Sequence, residues 1–321
     1  MSSQLTRKHY LAYICICLIW GSTWAAIRLL VRDVPPLRAA ATRFFLSAVI
    51  LLFVAASRRE SFRYTAAECR ALIVLGFTMI GLPCGLLFWA EYRISSSMTA
   101  VLFSACPLFV ALLTPLMTRS RVPRRAVFSM VIALGGIGVL FYSGLAASSY
   151  LLLGGAAVMV AVILTAWASV YAKREIARVN PLLGTAVQFC VGAGLVLAAS
   201  AIMEGGRPSD WNQTSLFALL FLAVFGSVIA FSLYYWLLAH MEAYQLSTTN
   251  LVVPIVAIAE GALLLREPVP LTMVGAALLV LIAVAVVLRA ESDEAISIVA
   301  VAGGNPAAIR KEESPRSVPR I

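Results

Sequence analysis

Charge and histidine are what this chain has least of. Only 12% of its 321 residues are charged, and its two histidines are His9 and His240. Hydrolysis inside a bilayer needs a nucleophile or paired carboxylates at depth, and no HExxH, GxSxG or phosphate-loop pattern occurs. An enzyme is therefore not expected. The six cysteines, Cys15, Cys17, Cys69, Cys84, Cys106 and Cys190, lie almost all inside apolar runs and lack metal-ligand spacing. That argues against a disulfide framework or zinc site, and neither metal nor cofactor is expected. The net charge of +10 falls between apolar runs rather than in one patch, which argues against nucleic acid as a partner.

Apolar residues are present in excess, at 61%, with a mean hydropathy of +0.93. Runs separated by short polar connections fall near 10–29, 36–56, 69–89, 97–117, 125–143, 150–171, 181–203, 215–238, 246–265 and 270–288. A bilayer core about 30 Å thick needs roughly 20 residues per crossing, so each run is long enough to span. Lipid offers no partner to open backbone groups, and period-2 alternation is missing, so the spans are predicted to be helices. The expected fold is an all-α membrane protein of ten transmembrane helices, with the lipid bilayer as its surroundings.

Basic clusters at Arg7 and Lys8, at Arg58, Arg59, Arg63 and Arg70, at Arg119 to Arg125, and at Lys173 to Arg178 alternate with sparser segments. By the positive-inside rule these clusters are cytoplasmic, as are both termini, in a multi-pass protein of the cell membrane. Arg7 and Lys8 before LAYICICLIW imitate a signal peptide. The run continues without a small-x-small cleavage site, and so it reads as a retained first span. Residues 290–321 mix charge, Pro and Gly and are expected to form a disordered cytoplasmic tail.

Shifting the chain by 147 residues lays Trp20 on Trp167, Trp89 on Trp236, Pro107 on Pro254, Arg119 on Arg266 and Pro123 on Pro270. Shared Leu and Ala would follow from composition; coincident Trp and Pro do not. Two repeats are expected, 1–145 and 146–289. Each has five spans, an odd number, so the second enters the membrane from the opposite face. Inverted repeats of this kind support alternating access, and transport of a small-molecule substrate follows as the leading reading.

Several stretches resemble the EamA-type transporters of the drug/metabolite transporter superfamily in order and spacing. They are IWGSTWAAIRLL (19–30), PPLRAAATRFFLSA (35–48), LLFWAEYRISSSMTAVLFSACPLFVALLT (86–114) and FSLYYWLLAHMEAYQLSTTNLVVPIVAIAEGALLLREPVP (231–270). The resemblance implies ten helices in two inverted repeats around a central cavity. It also implies export or uptake of amino acids, sugars, nucleotide-like compounds or drugs, with export slightly favoured. The family's Gly-Glu pair at the ends of the fourth and ninth helices reads Arg119-Ser120 and Arg266-Glu267 here.

Charges in a bilayer are costly, so Arg28 and Arg43 either snorkel to the outer headgroups or attract anions at the cavity mouth. Glu260, the acidic residue clearly inside a predicted span, reads as a proton-exchanging carboxyl or as an ion-pair partner of Arg43, Arg28 or Arg266. Trp20, Thr23 and Trp24 are candidates for the translocation pathway, whereas Trp89 and Trp236 suit interface belts. Ser247, Asn250, Pro254, Ala257 and Gly261 share one face of the ninth span, either for packing or as a cavity wall. Pro107 and Pro254 can kink their helices and free backbone carbonyls, which suits a hinge or central-site role or, alternatively, packing. A channel lacks its filter, and the carrier reads as a monomer or homodimer.

Overall fold

The structure, a computed structural model, describes residues 6–60, 64–94, 96–118, 122–141, 149–176, 179–265, 275 and 278–287. The helices are α1 Arg7–Asp33, α2 Pro36–Ser57, α3 Ala66–Glu91, α4 Ser96–Phe103, α5 Cys106–Thr118 and α6 Arg124–Phe141. Then follow α7 Ser149–Glu175, α8 Pro181–Met203, α9 Gln213–Leu238, α10 Ala243–Ser247, α11 Thr249–Leu265 and α12 Leu278–Val287. Among the described residues there are no strands, and six helices are long and apolar enough to cross a membrane. Those six are α1, α2, α3, α7 (over Leu152–Glu175), α8 and α9. The tail from 290 lies outside the described residues.

Local signals start the long helices. Thr6 and His9 form a capping box on α1, and Thr65 and Glu68 form one on α3, satisfying amide groups that the first turn leaves open. Asn180 and Asn212 accept from Leu182 N and Ser215 N at the starts of α8 and α9. Apolar side chains also point outward. Ile202 is 85% and Phe53 75% exposed, which water would penalise and acyl chains accept.

Inside lipid, close packing replaces the hydrophobic drive, and small residues permit it. A Cβ on Gly192 of α8 would fall 2.6 Å from Ile80 Cγ2, and one on Gly76 would fall 2.6 Å from Val191 Cβ. The helices α3 and α8 therefore touch through backbone. There α3 widens into a π turn over Gly76–Gly81, and α9 does the same over Val224–Ile229. A shift of 147 residues carries the ends of α3 onto those of α9, and the two π turns then differ by one residue.

The helices α2 and α8 lie antiparallel and meet at both ends. Glu204, just past α8, accepts from Leu37 N and Arg38 N at the start of α2, each at 2.9 Å. At the other end Glu60, past α2, accepts from Asn180 Nδ2 at the start of α8, 3.0 Å away. The helix α1 packs on α9, and α7 packs on α3.

Two expected continuous runs are broken. The run at 97–117 turns at Ser104 and Ala105, and that at 246–265 is interrupted at Thr248. Pro107 consequently sits at the start of α5, where a missing N–H costs nothing, rather than kinking a span. Pro254 does lie inside α11 and leaves the Asn250 carbonyl without its usual donor four residues on. The Ser104 hydroxyl donates to that carbonyl at 3.1 Å and ties the broken helices together.

Candidate functional site: a central cavity and its two ends

Side chains of α1, α2, α3, α7, α9 and α11 line a cavity of about 110 Å³. Five candidates from the sequence come together on its wall: Trp20, Thr23 and Trp24 of α1, Arg43 of α2 and Asn250 of α11. Ser247 joins them, whereas Ala257 and Gly261 of the same stripe lie outside the described side chains. Arg28, Pro107, Pro254 and Glu260 stand outside the cavity wall. Phe231 and Tyr234 of α9 complete an aromatic surface that the sequence does not single out, with Trp20 5.6 Å from each ring.

Arg43 is buried, at 5% exposure, and does not snorkel. Its Nε donates to Ser227 Oγ at 2.9 Å and its Nη2 to the Gly226 carbonyl at 3.0 Å. The guanidinium also lies 4.9 Å from the Phe44 ring centroid and 5.8 Å from that of Phe88, within cation–π range. The Gly226 carbonyl also accepts from Trp20 Nε1 at 3.3 Å. Gly226 belongs to the π turn of α9, where shifted hydrogen bonding makes carbonyls available. A side chain at Gly226 would collide with this node, since its Cβ would fall 2.8 Å from Thr23 Cγ2 and 3.1 Å from Arg43 Nη2.

Arg28 donates through Nη1 to the main-chain carbonyl of Glu91. Glu91 is fully buried at the end of α3, two residues beyond the expected run; its place beside Trp89 was the available signal. Its Oε2 accepts from Ser96 Oγ at 2.8 Å, and its Oε1 has no donor among the described residues. Trp24 Nε1 is likewise buried without an acceptor among the described residues. The Ser96 hydroxyl also lies 3.4 Å from Trp24 O, so it links the two residues that carry these atoms.

Glu260 is half-buried and accepts from the Ser22 hydroxyl. Among the described residues it makes no ion pair with Arg28 or Arg43; Arg266, like Arg119, lies outside them. Trp89 lies 3.6 Å under Arg93, Trp236 stacks on His9 at 5.0 Å, and Trp167 stacks on Tyr171 at 4.8 Å. A second recess, of about 590 Å³, opens where α5, α7 and α10 meet, bordered by Thr118, Lys173, Arg174 and Glu242. Lys173 Nζ donates there to Leu238 O at 2.9 Å and Met241 O at 2.7 Å, with Glu242 Oε1 at 3.6 Å. No group of three or more metal-ligating side chains occurs among the described residues.

Apolar outer faces and an aromatic cavity with one fixed guanidinium define a multi-pass helical membrane protein of the transporter class. The chain belongs to the EamA-like transporter family, within the drug/metabolite transporter superfamily, and matches it twice, over residues 7–142 and 152–289. It is 26% identical over 276 residues to "Uncharacterized transporter YoaV" of Bacillus subtilis (strain 168), covering 85% of this chain and 94% of that protein. It is 28% identical over 252 residues to "Uncharacterized inner membrane transporter YedA" of Escherichia coli (strain K12), covering 78% and 80%. "Protein PagO" of Salmonella typhimurium is 24% identical over 249 residues, covering 77% and 82%. A solved crystal structure shares the fold, with a TM-score of 0.73 at 18% identity, covering 87% of this chain and 96% of its own. The family is one of transporters, not enzymes.

Proposed function

We propose that the chain is a secondary transporter of the cell membrane that exports small polar metabolites, amino acids or related compounds, or drugs, by alternating access. Ten helices form two inverted halves, 1–145 and 146–289, with both termini cytoplasmic and the central cavity shared between them. One observation carries this reading. The start of α2 meets the end of α8 through Glu204, and the end of α2 meets the start of α8 through Glu60. This matched pair runs antiparallel, which supports the reading of inverted halves about a local twofold axis. Inverted halves can exchange conformations, opening one cavity to either side in turn.

The cavity favours a ligand with a flat or apolar body and an anionic oxygen. Aromatic walls take the body, and Arg43 Nη1, which makes no hydrogen bond to a described residue, is left to meet a carboxylate. Glu260 is the carboxyl proposed to exchange a proton during the cycle. Metabolite profiling of cells lacking or overproducing the protein identifies the compound, and counterflow in proteoliposomes tests the mechanism. A carrier exchanges labelled for unlabelled substrate and saturates. Flux that never saturates identifies a pore instead, and net uptake under the physiological gradient reverses the proposed direction.

A further inference from the structure

The third helix of each half ends under a lysine or arginine from the first helix of the same half, and this pairing forms at opposite ends of the molecule. The helix α3 ends at Glu91 and α9 at Leu238, which are 147 residues apart. The last carbonyls of a helix lack intrahelical donors and carry the negative end of its dipole, so a cation there is bound by both effects. Arg28 of α1 donates to the Glu91 carbonyl. Lys173 of α7 donates to the Leu238 carbonyl at 2.9 Å and, just beyond, to that of Met241 at 2.7 Å. An acidic residue accompanies each cation: Glu91, whose main-chain carbonyl Arg28 meets, and Glu242, whose Oε1 is 3.6 Å from Lys173 Nζ.

The two sites face opposite ways. Tyr92, next to Glu91, accepts from Arg207 past the end of α8, so the Arg28 contact lies at the end where α2 starts. The Lys173 contact lies near the end of α7, close before Asn180, which caps the start of α8 beside Glu60, where α2 ends. With 22 residues in α2, the two ends are about 33 Å apart. The cavity wall residues Trp20 and Trp24 lie on α1 short of Arg28, and Thr165 and Ser169 lie on α7 short of Lys173. Each cation therefore sits between the cavity and one end, fastening the two helices that must part for that end to open.

We propose that Arg28 and Lys173 are the paired gate residues of this transporter, each holding one end of the cavity shut by clamping its own half's third helix. The inference rests on the alternating-access reading. Removing one clamp destabilises the closed form of its own end, and the population shifts toward states open there. Because the two clamps guard opposite ends, the two shifts have opposite sign. A role in stability alone predicts no sign.

The test uses the full chain reconstituted in oriented vesicles, with Cys84 on the cavity wall as its sole cysteine. A membrane-impermeant maleimide is added from either side. Arg28→Met is expected to raise the ratio of labelling from the Glu91 end to labelling from the Lys173 end by about tenfold, equivalent to about 1.4 kcal/mol. Lys173→Met is expected to lower that ratio by a similar factor, and the double variant to return toward the parent. Arg28→Lys and Lys173→Arg, which keep a cationic donor, are expected to lie near the parent. Should a methionine variant fail to reach the membrane, Arg28→Gln and Lys173→Gln carry the same expectation. Shifts of the same sign, or unchanged ratios in folded variants, overturn the gate assignment. Saturable counterflow with unchanged ratios leaves the carrier reading standing without these gates, whereas opposite shifts without counterflow of the profiled metabolites retain the gates and overturn the substrate class proposed.

Discussion

The Arg43 guanidinium donates to the Gly226 carbonyl at 3.0 Å, joining a helix of the first half to the π turn of a helix of the second. The contact spans 183 positions in sequence and holds a buried charge by main-chain and hydroxyl acceptors and two aromatic faces, with no carboxylate in ion-pair contact among the described residues. A guanidinium so held has a fixed direction, which a lysine ammonium on a flexible stem does not reproduce.

Substitution at this node therefore separates binding from folding. Arg43→Lys is expected to raise the KM for the transported compound by about tenfold or more, because a charge-assisted hydrogen bond contributes roughly 1.5–3 kcal/mol. Gly226→Ala places a methyl 2.8 Å from Thr23 Cγ2 and is expected to lower the midpoint of thermal unfolding in detergent as well. Counterflow kinetics and unfolding on the same preparations check both; an Arg43→Lys protein with parental KM contradicts the role given to the guanidinium.

Trp24 offers a sharper separation. Its Nε1 is buried with no acceptor among the described residues, so Trp24→Phe breaks no side-chain hydrogen bond to any of them. An unmatched buried donor costs roughly 1–3 kcal/mol, so the variant is expected to unfold no earlier than the parent. If a substrate oxygen takes this donor, KM rises by about tenfold while stability holds. Loss of stability with unchanged KM would instead assign Trp24 a packing role.

Glu260 bears on the driving force. A glutamine there keeps the bond from Ser22 but has no proton to release, so flux through Glu260→Gln is expected to ignore an imposed pH gradient while counterflow continues. Proton-driven flux at the parental rate removes Glu260 from coupling and turns attention to Glu91, a fully buried carboxyl with one oxygen that meets no donor among the described residues.

The long helices are legible because their apolar runs are long: 69–89 and 215–238 in sequence lie within Ala66–Glu91 and Gln213–Leu238. Trp20, Thr23, Trp24, Arg43 and Asn250 could be chosen as site candidates because polar and indole groups in a span need a reason, and the cavity supplies it. The π turns are not legible, since close packing on Gly76 and the node at Gly226 are tertiary events with no local signature. Glu91 escapes because a carboxylate at the end of an apolar run reads as the start of a loop. Lys173 escapes because the 147-residue shift lays Arg28 on Glu175; only the folded helices reveal that a cation two positions earlier makes the equivalent contact.

The proline of α11 yields a prediction in which two substitutions should not add. Pro254 has no N–H, so the Asn250 carbonyl lacks its usual intrahelical donor, and Ser104 from the break between α4 and α5 supplies a hydroxyl at 3.1 Å. In the parent protein Ser104→Ala leaves that half-buried carbonyl without this donor and is expected to cost about 1 kcal/mol of unfolding free energy. In a Pro254→Ala background the new alanine N–H satisfies the carbonyl, so the same serine substitution is expected to cost a few tenths of that. The double-mutant cycle, measured by unfolding in a mild detergent, should return a coupling of about 0.5–3 kcal/mol, the range for residues sharing one partner. Additive effects would mean that Ser104 and Pro254 act independently, and the Asn250 carbonyl would then not be what joins the two broken helices.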